Sequence, residues 1–193
     1  IIDRIEKHGL RDDTIIIFMS DNGHSEETGN KIRVENHKSG YKKDHFYGAS
    51  GGGSTGKWIG QKGNFLEGGV RVPAIISYPS KLPKGAVRDQ TITAMDWFPT
   101  LLALCDVKPN PSSPPLDGHN ILPLIKDKKA KSKHSKLHFS WGSNWAVRSG
   151  EWKLIGNKDN PQSLHKLNDE KPEVKNYAKE NPKKVKQLLT LHR

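Results

Sequence analysis

The chain has 193 residues, a size that fits one ordinary domain or a piece of a larger one. Lys and Arg number 32 against 21 Asp and Glu, and the resulting +11 draws the chain towards polyanions such as nucleic acid, anionic lipid or sulfated glycan without choosing among them. A single cysteine, Cys105, excludes an internal disulfide, and no apolar run reaches the roughly 18 residues that would cross a bilayer.

Ile1 to Leu10 reads as an amphipathic helix, with Ile2, Ile5 and Glu6 spaced for two faces. The chain opens on Ile-Ile with this pattern already under way, so it is expected to be part of a longer protein. Gly9 stops the helix, Asp12-Asp13 turns the chain, and Thr14 to Ser20 follows as a continuous β-branched apolar run. Such a run predicts a strand buried on both faces of a parallel sheet. At its carboxyl end stand Asp21, Asn22, Gly23 and His24, where open α/β sheets form their ligand crevice. Ser25 to Gly60 is polar and Gly-rich and is expected to be a long loop, either functional or disordered.

The stretch from Gly60 to Pro73 leads into a second short buried strand, Ala74 to Tyr78, and its Gly68 and Gly69 suit backbone at positive φ or in close approach. Asp96 to Leu104 predicts a helix with Asp96 near the N-cap, Pro99 in the first turn, and Leu101, Leu102 and Leu104 towards the core. Cys105, at the end of that helix, reads as a packing cysteine. Pro109 to Pro115 is an extended connector. Leu137 to Ser140, Trp145 to Arg148 and Trp152 to Ile155, separated by Gly142 and Gly150, predict a small antiparallel sheet, and a Lys-rich helix is expected from about Pro172 to Leu191.

Few of these residues carry chemistry on their own. Asp21 and Asn22 supply a carboxylate and an amide carbonyl, hard oxygens that suit Ca²⁺ or Mg²⁺, although Asn-Gly is also a common turn. Lys62 among glycines resembles an anion cradle, without the spacing of a P-loop, and a solvated surface lysine is the plain alternative. His119, His138 and His165 lack metal-ligand spacing and read as structural or surface residues. No aromatic residues alternate with the lysines of 126–136 or 171–186, which argues against a single-strand nucleic-acid platform.

The order of the pieces is more specific than any one of them. TIIIFMSDNGH, KGNFLEGGVRVPAII, TAMDWFPTLLALCDV, LDGHNILPLI and WAVRSGEWKLI together resemble the second half of the formylglycine-dependent sulfatases, arylsulfatase-like members of the alkaline phosphatase superfamily, over nearly the whole chain. The Lys-Gly-x-x-x-Glu-Gly-Gly-x-Arg-x-Pro stretch is the most specific element. The resemblance implies an α/β fold with a mixed or parallel sheet sandwiched by helices, of which residues 1–126 are the second half. A small C-terminal α+β part, an antiparallel sheet plus a helix, would occupy residues 127–193.

The resemblance further implies hydrolysis of sulfate esters, on a sulfated carbohydrate or an aryl sulfate, assisted by one Ca²⁺. The attacking group in that family is a formylglycine, made by a maturation enzyme from a cysteine or serine in a Cys/Ser-x-Pro-x-Arg motif. Asp21 and Asn22 match the family's late pair of calcium ligands, and Asp21 also matches the carboxylate that takes a proton from the attacking hydroxyl. Lys62 matches the lysine that binds the sulfate oxygens, while His24 is expected either to reach the substrate or to brace its loop. Glu67, Gly68, Gly69 and Arg71 match structural positions of the motif. A periplasmic or secreted location and no nucleic-acid partner follow from the same resemblance.

Cys105 is followed by Asp106-Val107-Lys108, so the Cys/Ser-x-Pro-x-Arg motif is absent, as are the early Asp-Asp pair and the early Lys/His contacts; the chain by itself is expected to be inactive. Two other readings stay open, a phosphate or phosphonate ester hydrolase of the same superfamily and a non-catalytic polyanion-binding module. If the lysines of 171–186 form only a solvated helix face, the chain should leave a sulfated resin near ~0.15 M salt, where screening acts over about 8 Å. Retention at roughly ten times that ionic strength would favour the binding module.

Overall fold

The structure is a computed structural model that describes residues 1–24, 31–34, 45–48 and 55–192, with the backbone alone for 31–34 and 45–48. It divides into two units, Ile1–Phe18 with Ala74–Ser135, and Met19–Pro73 with Lys136–Arg193.

In the first unit, α1 (Ile2–Lys7) ends at Gly9, whose φ of +67° turns the chain so that Leu10 N–H reaches back to Ile5 O. Strand β1 (Ile16–Met19) pairs with β4 (Ala74–Ser77). Ile16 and Ile17 are half-buried, but Phe18 is 63% and Ile75 60% exposed, so this pair is not covered on both faces as the apolar run predicts. The run reports what the strand can bury; layers on both sides must be present for it to do so. A single 3₁₀ turn (Ala94–Asp96) leads into α3 (Trp97–Leu104), and the short helix α4 (Leu122–Lys126) lies further along the chain. Leu104, Ile121 and Leu124 are the buried apolar residues of this unit. Cys105 corrects the expectation of a packing cysteine: it is exposed, because it caps the carboxyl end of α3 one position beyond the buried Leu104.

In the second unit, the stretch expected to be one long loop contains a hairpin, β2 (Lys31–Val34) against β3 (His45–Gly48), with Ile32 opposite Tyr47. The remaining positions of that stretch up to residue 54 lie outside the described residues. Glu67–Val70 forms a four-residue helix, α2, inside the glycine-rich motif. The carboxyl part is an antiparallel meander of β5 (Lys136–Trp141), β6 (Asn144–Ser149), β7 (Trp152–Asn157) and β8 (Asn160–Lys166), followed by α5 (Pro182–His192). Gly142 and Gly150, at φ +57° and +58°, make the two turns as predicted. Strand β8 escaped the sequence reading because Asn160-Pro161-Gln162-Ser163 lacks apolar alternation. The last helix begins at Pro182, ten residues later than expected, since Pro suits a first helical turn and not an interior.

Residues alternate between the faces of this sheet. Trp145, Val147, Leu154 and Leu164 share one face and pack with Leu188 of α5 into the core of the unit. Arg148, Lys153 and His165, aligned across β6, β7 and β8, take the other face. Leu188→Ala should therefore cost about 2–5 kcal/mol in urea unfolding followed by tryptophan fluorescence. A loss below ~1 kcal/mol would remove α5 from the core.

Candidate functional site

The turn after β1 is built by its own polar groups and then closed by glycines. Ser20 Oγ donates to Asn22 O at 2.8 Å, and Asn22 Nδ2 donates to Asp21 Oδ1 at 2.6 Å. Gly23 is buried, and its N–H donates to Gly69 O at 3.0 Å. A Cβ at position 23 would fall 2.0 Å from Gly68 O, so backbone rather than side chain dictates glycine there. Gly68 is enclosed in turn, since a Cβ on it would lie 2.4 Å from Gly60 O, and its N–H donates to Ile59 O at 2.8 Å. The predicted glycine role is thus close approach, not positive φ; in this turn Gly60 and Gly63 take positive φ, at +91° and +93°.

Lys62 N–H donates to His24 O at 2.8 Å. Two backbone bonds, Gly23 to Gly69 and Lys62 to His24, therefore zip the Asp21–His24 turn to the Lys62 turn. The structure brings all four expected site residues onto these joined turns, with Asp21 and Lys62 exposed and Asn22 and His24 half-buried. The donor chemistry of these adjacent residues, a carboxylate on Asp21 and an amide carbonyl on Asn22, fits part of a calcium shell, which takes about 6–8 oxygens. Among the described residues no group of three or more His, Cys, Asp or Glu converges to complete it.

Behind α2 lies a buried ionic network. Glu67 is 1% exposed, Lys153 0% and Glu173 3%. Glu67 Oε1 accepts from Lys153 Nζ at 2.8 Å, and Glu67 Oε2 accepts from Arg71 Nε at 2.5 Å. Arg148 approaches Glu67 Oε2 to 3.5 Å. Glu173 Oε2 accepts from Glu67 N at 2.7 Å, and Glu173 Oε1 lies 3.1 Å from Lys153 Nζ, off the direction of a hydrogen bond. Burial opposes ionisation of Glu67, yet the charge and hydrogen bond of Lys153, with Arg71 and Arg148, hold its carboxyl below the usual range. Of these residues sequence reasoning placed Glu67 and Arg71 in the motif and missed Lys153, Arg148 and Glu173. A lysine inside the apolar run Trp152-Lys153-Leu154-Ile155 was the available signal.

In the first unit, Asp96 is fully buried and accepts from His119 N and Thr93 N at 2.7 Å each and from His134 Nε2–H at 2.8 Å. Burial pushes its pKa up, but the N–H donors of His119 and Thr93 and the His134 ring outweigh that and hold it low. His165, as expected, is structural: its Nδ1–H donates to Lys175 O at 2.9 Å, and burial holds the ring towards neutrality.

Both depressed carboxyls have folded pKa values below their unfolded ones, about 4.3 for Glu and 3.9 for Asp. Their contribution is present above those values and disappears as pH falls through the lower folded pKa values. Unfolding free energy should therefore decline from about pH 4.5 downwards, and Glu67→Gln should flatten that decline. The same variant should cost ~3 kcal/mol or more at pH 7, because it breaks a buried pair. Urea titrations at several pH values check both outcomes.

Residues 1–107 match the Sulfatase family, and residues 57–192 match the family described as N-sulphoglucosamine sulphohydrolase, C-terminal. Steryl-sulfatase of Mus musculus is 33% identical over 161 residues, covering 80% of this chain and 23% of the relative. N-acetylgalactosamine-6-O-sulfatase of Bacteroides thetaiotaomicron is 27% identical over 207 residues, covering 99% of this chain and 38% of the relative. The crystal structure of Ps i-CgsB in complex with k-i-k-neocarrahexaose is similar in fold, with a TM-score of 0.69 at 24% identity over 97% of this chain and 37% of that one. The chain thus spans about a quarter of the first of these proteins and under two-fifths of the others. With more than half of its 193 residues matched, the chain belongs to the sulfatase family and has its alkaline-phosphatase-like α/β fold.

Proposed function

We propose that this chain forms part of a sulfatase that hydrolyses sulfate esters of a sulfated carbohydrate, with Asp21, Asn22 and Lys62 in the reacting site. The observation that carries the reading is the zipped pair of turns, which holds a carboxylate and an ammonium on adjoining, bonded backbone segments. The name of the Bacteroides relative, an N-acetylgalactosamine-6-O-sulfatase, supports a sugar as the sulfate carrier. Asp21 and Asn22 would hold a calcium ion through oxygen. Such an ion would neutralise charge on the sulfate oxygens, and a formylglycine outside these residues would supply the attacking hydroxyl.

The chain's own residues do the rest. Lys62 binds sulfate oxygens as a compact point charge, fixed by its backbone bond to His24. Asp21 takes up a proton on a carboxylate oxygen, and Asn22, whose amide N–H donates to it, keeps that carboxylate oriented. His24 braces the lysine turn through its carbonyl, and contact of its ring with the substrate belongs to the proposal. A formylglycine-generating enzyme as maturation partner, a periplasmic or secreted location, and a boundary between residues 126 and 127 belong to the same reading. Among the described residues no helix is long and apolar enough to cross a membrane.

The complete sulfatase containing this chain tests the assignment. Asp21→Ala should weaken calcium binding in calorimetry and lower kcat on an aryl sulfate, with added calcium recovering part of the loss. Lys62→Ala should leave calcium binding near normal and reduce kcat/KM by about 10²-fold or more, as for loss of one preorganised charge contact. Lys62→Arg should rescue only partly, since a planar fork differs from a point charge. Unchanged kcat/KM in Lys62→Ala would take that residue out of the site. Turnover of a phosphonate monoester in preference to the sulfate would favour the superfamily's other chemistry.

A further inference from the structure

We propose that Lys153 and Glu173 are positioning residues for the site, acting through Glu67; the inference rests on the reading of Asp21, Asn22 and Lys62 given above. Their side-chain hydrogen bonds and ion pairs run to Glu67 and to each other. Glu67 is held at both its backbone N–H and its carboxylate, by Glu173 at 2.7 Å and by Lys153 at 2.8 Å, with Arg71 on the second carboxylate oxygen. The next two residues are Gly68, whose carbonyl lies under Gly23, and Gly69, whose carbonyl accepts the Gly23 N–H. Only one and two residues separate the pinned Glu67 from the cradle of the Asp21–Asn22–Gly23 turn. Gly68 N also fastens Ile59 O, at the base of the Lys62 turn. A shift of Glu67 is therefore passed to both halves of the site.

Two further observations separate this role from general core stability. The network lies on the sheet face opposite the apolar core: Lys153 aligns with Arg148 and His165, whereas Trp145, Val147, Leu154 and Leu164 face α5. Phe139 and Phe65, 6.2 Å apart between ring centres, add the apolar contact from β5 to the motif. Glu173 in addition holds a φ of +64°, a left-handed conformation costly for a residue other than glycine. Such strain persists where surrounding contacts over-determine it, and here those contacts are Glu67 N and Lys153 Nζ.

Amide hydrogen exchange on the 193-residue chain reads the coupling without metal or substrate. In Glu173→Gln and in Lys153→Met, the amides of Gly23 and Lys62 should exchange about tenfold faster or more, while those of Val147 and Leu154 stay within roughly twofold of the unsubstituted chain. Unchanged exchange at Gly23 and Lys62, or acceleration only in step with Val147 and Leu154, would overturn the proposal. Should Lys153→Met fail to fold by stranding two buried carboxylates, Glu173→Gln, which keeps the shape, carries the test. In the complete sulfatase, Glu173→Gln should weaken calcium binding and lower kcat more than it changes KM. Loosened amides with calcium affinity and kcat unaltered would uphold the coupling and instead refute the assignment of Asp21 and Lys62 to the reacting site.

Discussion

A carboxylate removed from water must be met by charge and hydrogen bonds or give up its proton, and Glu67 is the place where the second unit satisfies that demand. Lys153, Arg71 and Arg148 surround one side chain drawn from a four-residue helix, and Glu173 receives its backbone N–H. Five groups from four stretches of sequence are thereby tied together. Their arrangement leaves Gly68 and Gly69 no freedom to part from Ile59, Gly60 and Gly23, where backbone atoms already stand closer than any Cβ would allow. The candidate site is a consequence of this packing, because its two turns are bonded to each other through these same residues.

The meander of β5 to β8 serves two different chemistries through alternation. One face is apolar and closes on α5, with Leu188 among the most deeply buried residues of the unit. The other presents Arg148, Lys153 and His165 in register, with the ionic network meeting the two cations and Lys175 O and Ser163 Oγ satisfying the imidazole. A sheet that looks like a small appendage thus supplies the counter-charge for the motif preceding it.

The first unit handles its buried carboxylate differently. Asp96 is satisfied mostly by backbone, through the N–H groups of His119 and Thr93, with His134 as the single ring donor. Backbone donors bring no net charge, so this site orders the segments on either side of α3 without building an ion cluster. Thr100 extends the same net, accepting from Ile121 N and donating to Asp96 O.

By itself the sequence determined those features whose causes are local. The apolar run before Asp21, the turn glycines at positions 142 and 150 and the helix after Asp96 were legible, because β-branched runs, positive-φ glycines and helix-start signals act over a few residues, whereas Asp21, Asn22, His24 and Lys62 were grouped only by the resemblance to the sulfatases. Strand β8, the late start of α5 and the exposure of Cys105 were not, since each depends on what neighbouring strands and helix ends cover. Lys153 and Glu173 were decided by tertiary structure alone. They stand 86 and 106 residues from Glu67, and only the folded sheet brings an ammonium and a carboxylate that far along the chain into one dry place, where Coulomb attraction and the cost of desolvation leave no other arrangement for the glycine turn.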